Sequence, residues 1–190
     1  MYTNPHNIAL TLIDLLNRNA EQINSVVRIY QSNRKLNVFE GMRKVLPIDA
    51  YPALEIESQT AASEWATTRA QRPRYTFRLT LTVRVDNEKF GHEYITTMAT
   101  TLAEILTSPE NLQLQVLGES KWTPDAGLVE TFILDSLVDD VNYSSAKEGS
   151  IRKAEFSWFA LIHEPYPGSK WKIGGATTPT IIRPLVMSVA

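Results

Sequence analysis

Glu55 and Glu57 are the residues of this chain whose types and spacing come closest to a reaction centre. They lie two apart in a segment of strand character, Tyr51-Pro52-Ala53-Leu54-Glu55-Ile56-Glu57, so their side chains share a face. Paired carboxylates can hold a divalent cation or act as acid and base. A cation site would want a lysine or a third carboxylate nearby. The one candidate is Asp86-Asn87-Glu88-Lys89, which lacks the acidic-x-Lys spacing of a metal nuclease and reads more simply as a turn. The plain reading of Glu55 and Glu57 is the solvated face of a strand. His6, His92 and His163 are not spaced as metal ligands, and structural or solvent-facing roles are expected for all three. The chain has no cysteine, which removes disulfides, thiolate metal sites and a cysteine nucleophile. There is no Gly-x-Ser-x-Gly turn, and Gly174-Gly175 is isolated rather than part of a phosphate loop. No catalytic residue, metal or cofactor is therefore expected, and the chain does not read as an enzyme.

A different chemistry is suggested by residues 58–74, SQTAASEWATTRAQRPR, a polar link between two strands. Hairpin loops usually have 2–5 residues, so a link of this length has a function or is mobile. It carries Trp65 with Arg69, Arg72 and Arg74. Such a set can contact DNA or an acidic protein face, or be simply solvated. Tryptophan and arginine recur at interface hot spots, and the acidic pI of about 5.9 with a net charge of −2 favours protein over DNA.

The elements that position these residues follow from periodicity. A chain of 190 residues fits one domain, or one domain with arms. Its 43% apolar and 21% charged content is ordinary for a globular protein. No apolar run approaches the length of a membrane span, and the N-terminus lacks the pattern of a signal peptide. The chain is expected to stay in the cytosol or to leave inside something larger. Asn4 caps a first helix with Pro5 at its first position; Ile8, Leu12, Leu15, Leu16 and Ile23 fall at helical spacing, and the helix is expected to end near Asn17 to Ala20. Residues 25–31 are β-rich and read as a strand. Tyr75 to Val85 alternates, with Tyr75, Phe77, Leu79, Leu81, Val83 and Val85 on one face. A helix over about 92–107 shows Ile95, Met98, Ala99, Leu102, Ile105 and Leu106 as its stripe, and Ser108-Pro109 stops it. Further strands are expected at 112–117, 130–138 and 151–162, with 118–127 a loop and 139–150 a link. Phe159 and Leu161 make the end of the last strand apolar on both faces, which implies cover on both sides. From Pro165 onward prolines and glycines forbid a long regular element, yet Trp171, Ile173, Ile181, Ile182, Arg183, Leu185 and Val186 are too apolar a set to dangle in water. That segment either folds back on its own sheet or lies on a neighbour as an arm. The expected fold is α+β. An antiparallel or mixed sheet packs against two helices, with a long inter-strand loop, a body over 1–164 and an extended C-terminal arm over 165–190.

This order of elements, over about residues 5 to 162, resembles the tail terminator (tail completion) proteins of long-tailed bacteriophages. Tyr51-Pro52-Ala53-Leu54-Glu55-Ile56 and the strand from Tyr75 carry most of the likeness. The resemblance implies a structural virion protein of the tail–neck region, made in the host bacterial cytoplasm. It implies a ring of this chain, typically of six copies, on the last ring of the tail tube. Its partners would be the tail-tube protein, neck or connector proteins and sheath; genomic DNA would pass through the lumen, and no membrane is involved. The 58–74 link would meet a tube or sheath neighbour, and the tip near Asn142 to Ser150 another ring. Trp65, Arg69, Arg72, Arg74, Phe159, Leu161, Trp171, Ile173, Ile181, Ile182, Arg183, Leu185 and Val186 are the candidate interface residues. The alternatives are another neck or tube-like structural protein, a small metal-dependent enzyme using Glu55 and Glu57, and a monomeric ligand-binding module.

Overall fold

The computed structural model describes residues 3–43, 45–67, 70–85, 88–109, 114–123, 127–139, 141–145 and 150–163. Helix α1 spans Pro5–Arg18: Asn4 accepts a hydrogen bond from His6 N at 3.1 Å, and Asp14 pairs with Arg18 one turn on. Asn19 interrupts the helix, and α2 follows at Ala20–Tyr30. The strand expected at 25–31 is thus a helix. Ile23, Val26, Val27 and Tyr30 are spaced to form one stripe, and burying that stripe outweighs the weak β preference of valine and isoleucine. The same stripe explains why Ile23 belongs to α2 rather than to the first helix.

Among the described residues seven strands follow in one mixed sheet: β1 (Asn37–Glu40), β2 (Ala53–Thr67), β3 (Ala70–Arg84), β4 (Gln115–Thr123), β5 (Gly127–Val138), β6 (Asn142–Ser145) and β7 (Ile151–His163). The order is β1-β2-β3-β7-β5-β4, and β6 also pairs with β7. Of the described pairs, β1 and β2 run parallel and the others antiparallel. The third helix, α3, spans Glu88–Thr107, beginning before the expected 92, so His92 and Glu93 lie in its second turn.

Two expected loops are strands. The 58–74 link is paired backbone up to Thr67↔Ala70, and much of 118–127 belongs to β4 and β5. A further strand, β6, lies within the 139–150 link and pairs with Arg152 to Glu155 of β7. Backbone pairing needs no apolar alternation when both arms of a hairpin supply the hydrogen bonds, which is why polar sequence hid these strands.

The helices cover one face of the sheet. Helix α3 lies against β3, β5 and β7, α1 against β2 and β4, and α2 against α3. Leu54, Ile56, Tyr75, Phe77, Leu79, Leu81, Val83, Phe156, Trp158 and Ile162 join the helix stripes in one buried core. The whole expected stripe of α3 is buried, and Val85 is packed against the core just beyond the end of β3. Cross-element hydrogen bonds fix the layers. Tyr75 Oη donates to Thr3 O at 2.9 Å, Leu117 N to Thr11 Oγ1 at 2.9 Å, and Ser136 Oγ to Leu106 O at 2.8 Å.

Tyr94, on α3, stacks on Tyr30 with ring centroids 4.7 Å apart, and its hydroxyl is buried with no hydrogen-bond partner among the described residues. Burial, with the neighbouring Tyr30 adding to it, pushes its phenol well above the ordinary value of 10.0. A phenol raised in the folded state stabilises the fold fully below its unfolded value, and that contribution is lost as pH rises above it toward the folded value. Wild type is therefore expected to lose up to about 1.4 kcal/mol per pH unit above pH ~10 through this group. Tyr94→Phe removes an unpaired hydroxyl and this titration together. Urea unfolding at pH 8 and pH 11 is expected to show the variant at least as stable as wild type at pH 8 and gaining on it at pH 11. A constant difference between the two would show that Tyr94 ionises as freely in the fold as in the unfolded chain.

Candidate functional site

The face of the sheet away from the helices carries Glu55, Glu57, Arg74, Phe159 and Leu161. Register places Glu55, Thr80 and Glu155 in one row, and Glu57, Arg78 and Ser157 in the next. Glu55 is not solvated, contrary to its plain reading: it is 5% exposed. The chain after β1 turns at Gly41, where φ is +79°, and Arg43 N donates to Glu55 Oε1 at 2.6 Å. The Arg43 guanidinium lies over the Phe39 ring at 4.3 Å, which holds this segment down. Glu57 is turned to its neighbours, accepting from Gln59 Nε2 at 2.9 Å with Arg78 Nη1 3.8 Å away. The two carboxylates therefore share a face but not a site. One caps a backbone amide and the other is half-exposed beside an arginine. Among the described residues no group of three or more His, Cys, Asp or Glu is placed to hold a metal.

His6 Nδ1 is hydrogen-bonded to Glu40 Oε1 at 2.6 Å, tying the start of α1 to β1. His92 lies edge-on to Tyr143 with centroids 6.3 Å apart. With Ile95, Ser144, Ser145 and Arg152 they line an open depression of about 410 Å³ between α3 and β6. Sequence reasoning did not find this depression, because β6 was read as part of a link.

The other end of the helix-free face has a different character. Arg74 lies over the Phe159 ring at 4.1 Å. Phe159 and Leu161 are half-buried, and Leu137, opposite Phe159 in the register, is 58% exposed. The end of β7 is thus covered fully on the helix side only, among the described residues. Leu137 was missed because alternation in β5 is broken between Ile133 and Asp135, where the register shifts. That irregularity turns Leu137 to the Phe159 face.

Among the described residues, the sheet forks at this end. The β3–β7 ladder is described to Arg74↔Leu161 and the β5–β7 ladder to Phe132↔His163. Beyond them, residues 63–67 and 70–73 pair with each other, and so do 120–123 and 127–130. Among the described residues, two two-stranded ribbons thus extend past His163, the last described residue of β7, one on either side of it. Val85 N donates to Ser150 O at 2.9 Å, so alternate residues of β3, down to Pro73, direct their backbone groups toward β7. Pro73 has no amide to give, and the ladder to β7 is last described at the residue before it in space, Arg74. Trp65 and Arg72 belong to this ribbon by backbone. Arg69, Trp171, Ile173, Ile181, Ile182, Arg183, Leu185 and Val186 lie outside the described residues. Of the candidate interface residues, the structure brings together Arg74, Phe159 and Leu161.

No protein-family model matches the chain, and no curated protein matches it. Among solved structures, a chain of the virion of a native gene transfer agent particle is similar at 11% identity, with a TM-score of 0.49. The match covers 80% of this chain and 92% of that one. A second solved chain, whose name states no function, is similar at 15% identity with a TM-score of 0.40, over 77% of this chain and 96% of the other. Likenesses of this size carry no functional argument. No helix among the described residues is long and apolar enough to cross a membrane.

Proposed function

We propose that this chain is a structural subunit of a phage-like virion, acting as a tail terminator. In this reading copies close into a ring, typically of six, that caps the tail tube and joins it to the neck. DNA passes through the lumen without being read. The tail-tube protein, neck or connector proteins and sheath are the partners, and the virion is the location. Residues 1–164 form the body and 165–190 an arm.

The observation that carries the reading is the fork. A lone two-stranded ribbon is marginal in water, since it has no third strand or helix to lean on. A single subunit with two such ribbons gains most from neighbours that pack against them. A closed ring uses two different patches per subunit in head-to-tail contact, and two prongs on either side of a strand end offer such patches. The sequence resemblance to tail terminators points the same way. The enzyme alternative loses support from the separate engagement of Glu55 and Glu57.

Light scattering across a concentration series, followed by negative-stain imaging of the same peak, tests the proposal. A closed ring of about six copies with a central hole is expected. Continued growth into tubes would favour a tube-like protein instead. A strict monomer at high concentration would count against assembly by the free chain.

A further inference from the structure

The apolar patch of Leu137, Phe159 and Leu161 sits on the helix-free face beside the end of β7. We propose that residues 181–187 of the same chain cover it, so that the surface this end presents to partners is the segment and not the bare sheet.

Four observations select that occupant. The first is direction. Val85 N donates to Ser150 O and Asp139 N to Ser157 O, so even residues of β7 address β3 and odd residues address β5. Continued in that alternation, Pro165 and Pro167 would face β5, and neither can donate to it. Pairing there would lack two donors, and Pro167-Gly168 is a turn signal in the sequence.

The second is reach. Leu161 and Phe159 lie about 7 and 13 Å back from His163 along β7, at a strand's rise per residue. Residues 164–180 make a link whose random-coil span is about 20–25 Å, so 181–187 reaches the patch without strain.

The third is complementarity of surface. Ile181, Ile182, Leu185, Val186 and Met187 match an apolar patch whose most open member, Leu137, is 58% exposed. The fourth is charge. Arg183 is the one charge within 181–187; Asp135, exposed and opposite Leu161 in the register, is a carboxylate on the β5 side of the patch, while Arg74, over Phe159, is a cation on its β3 side. Asp135 Oδ1 accepts only from its own neighbour, Ser136 N, among the bonds described.

The absence of cysteine makes the test direct. Leu137→Cys with Leu185→Cys is made in the full chain and treated with a short bis-maleimide at micromolar protein. Glu21→Cys with Leu185→Cys serves as control, since Glu21 is 82% exposed on α2, on the helix side. A tether of this length gives an effective concentration of about a millimolar, so a crosslink within one chain should exceed one between chains by about 100-fold or more. Crosslinking of the 137–185 pair within the chain, well above the control, is the expected result. Products formed only between chains would place the segment on a second copy and overturn the proposal. A yield equal to the control would overturn it too. The outcome is independent of ring formation, which light scattering on the same sample reports. A ring without the crosslink sinks this inference alone, and the crosslink without a ring sinks only the assembly reading.

Discussion

Replacing residues 63–73 with Asn-Gly is expected to reduce the assembled particle to single chains while leaving the body folded. The replaced residues lie beyond the pair Ala62↔Arg74, which is the last at which β3 also pairs with β7. Asn-Gly closes a two-residue hairpin at that pair with the twist the strands need. The core residues of β2 and β3, Leu54, Ile56 and Tyr75 to Val83, all lie on the retained side. Pro73 is the buried residue among those replaced whose burial is described, so the folding cost should be about 1–3 kcal/mol. The assembly cost is larger. If Trp65, the large apolar side chain of the ribbon, is buried at each subunit contact, at about 1.5–3 kcal/mol, its loss weakens each contact by about 10- to 150-fold. A ring repeats that loss at every interface. Far-UV circular dichroism and thermal melting check the fold, and light scattering reads the mass. An unchanged particle mass in a well-folded variant would remove the ribbon from the interface and with it the main support for the proposed function.

Phe77→Ala is expected to cost about 3–5 kcal/mol of folding stability, the range for large-to-small changes at buried aromatic positions. Phe77 is 0% exposed, near the middle of β3, with Ser58 and Trp158 as its cross-strand neighbours. The Trp158 ring lies 5.7 Å away, centroid to centroid, and would lose that contact. Sheet neighbours on both sides and helices above leave little freedom to collapse into the vacated space. Against a total stability of about 5–15 kcal/mol for a domain, the loss is about a fifth or more. Val85→Ala, on the same face but half-buried beyond the strand end, should cost much less. Urea unfolding of the two variants checks the order. A loss below about 1 kcal/mol at Phe77 would mean that the core does not centre on β3 and β7.

Those two variants divide along the line between what sequence specified and what it left to the fold. The Phe77 prediction was legible in the sequence. Tyr75 to Val85 alternates without a fault, and every apolar position from Tyr75 to Val83 is buried, although Thr80 and Thr82 on the other face are buried too. The first helix, with its Asn4 cap, and the stripe of α3 were legible for the same reason: a side-chain period that only one element satisfies. Residues 25–31 misled because Val26, Val27 and Ile29 suit either element, and the deciding contact, Tyr30 on Tyr94, comes from 64 residues away.

The ribbon behind the other prediction, the burial of Glu55 and the exposure of Leu137 were decided by tertiary structure. A polar hairpin is written in backbone hydrogen bonds, which leave no trace in side-chain pattern. Glu55 is buried because Arg43 delivers an amide to it from a parallel neighbour's turn. Leu137 reaches the open face because β5 slips its register between Ile133 and Asp135. In each case the deciding partner is remote in sequence, and a period along one strand cannot encode which backbone will lie beside it. By itself the chain determined an α+β body, its core and an apolar C-terminal segment in need of cover. The sheet order, the fork and the patch beside it emerged only when the strands met.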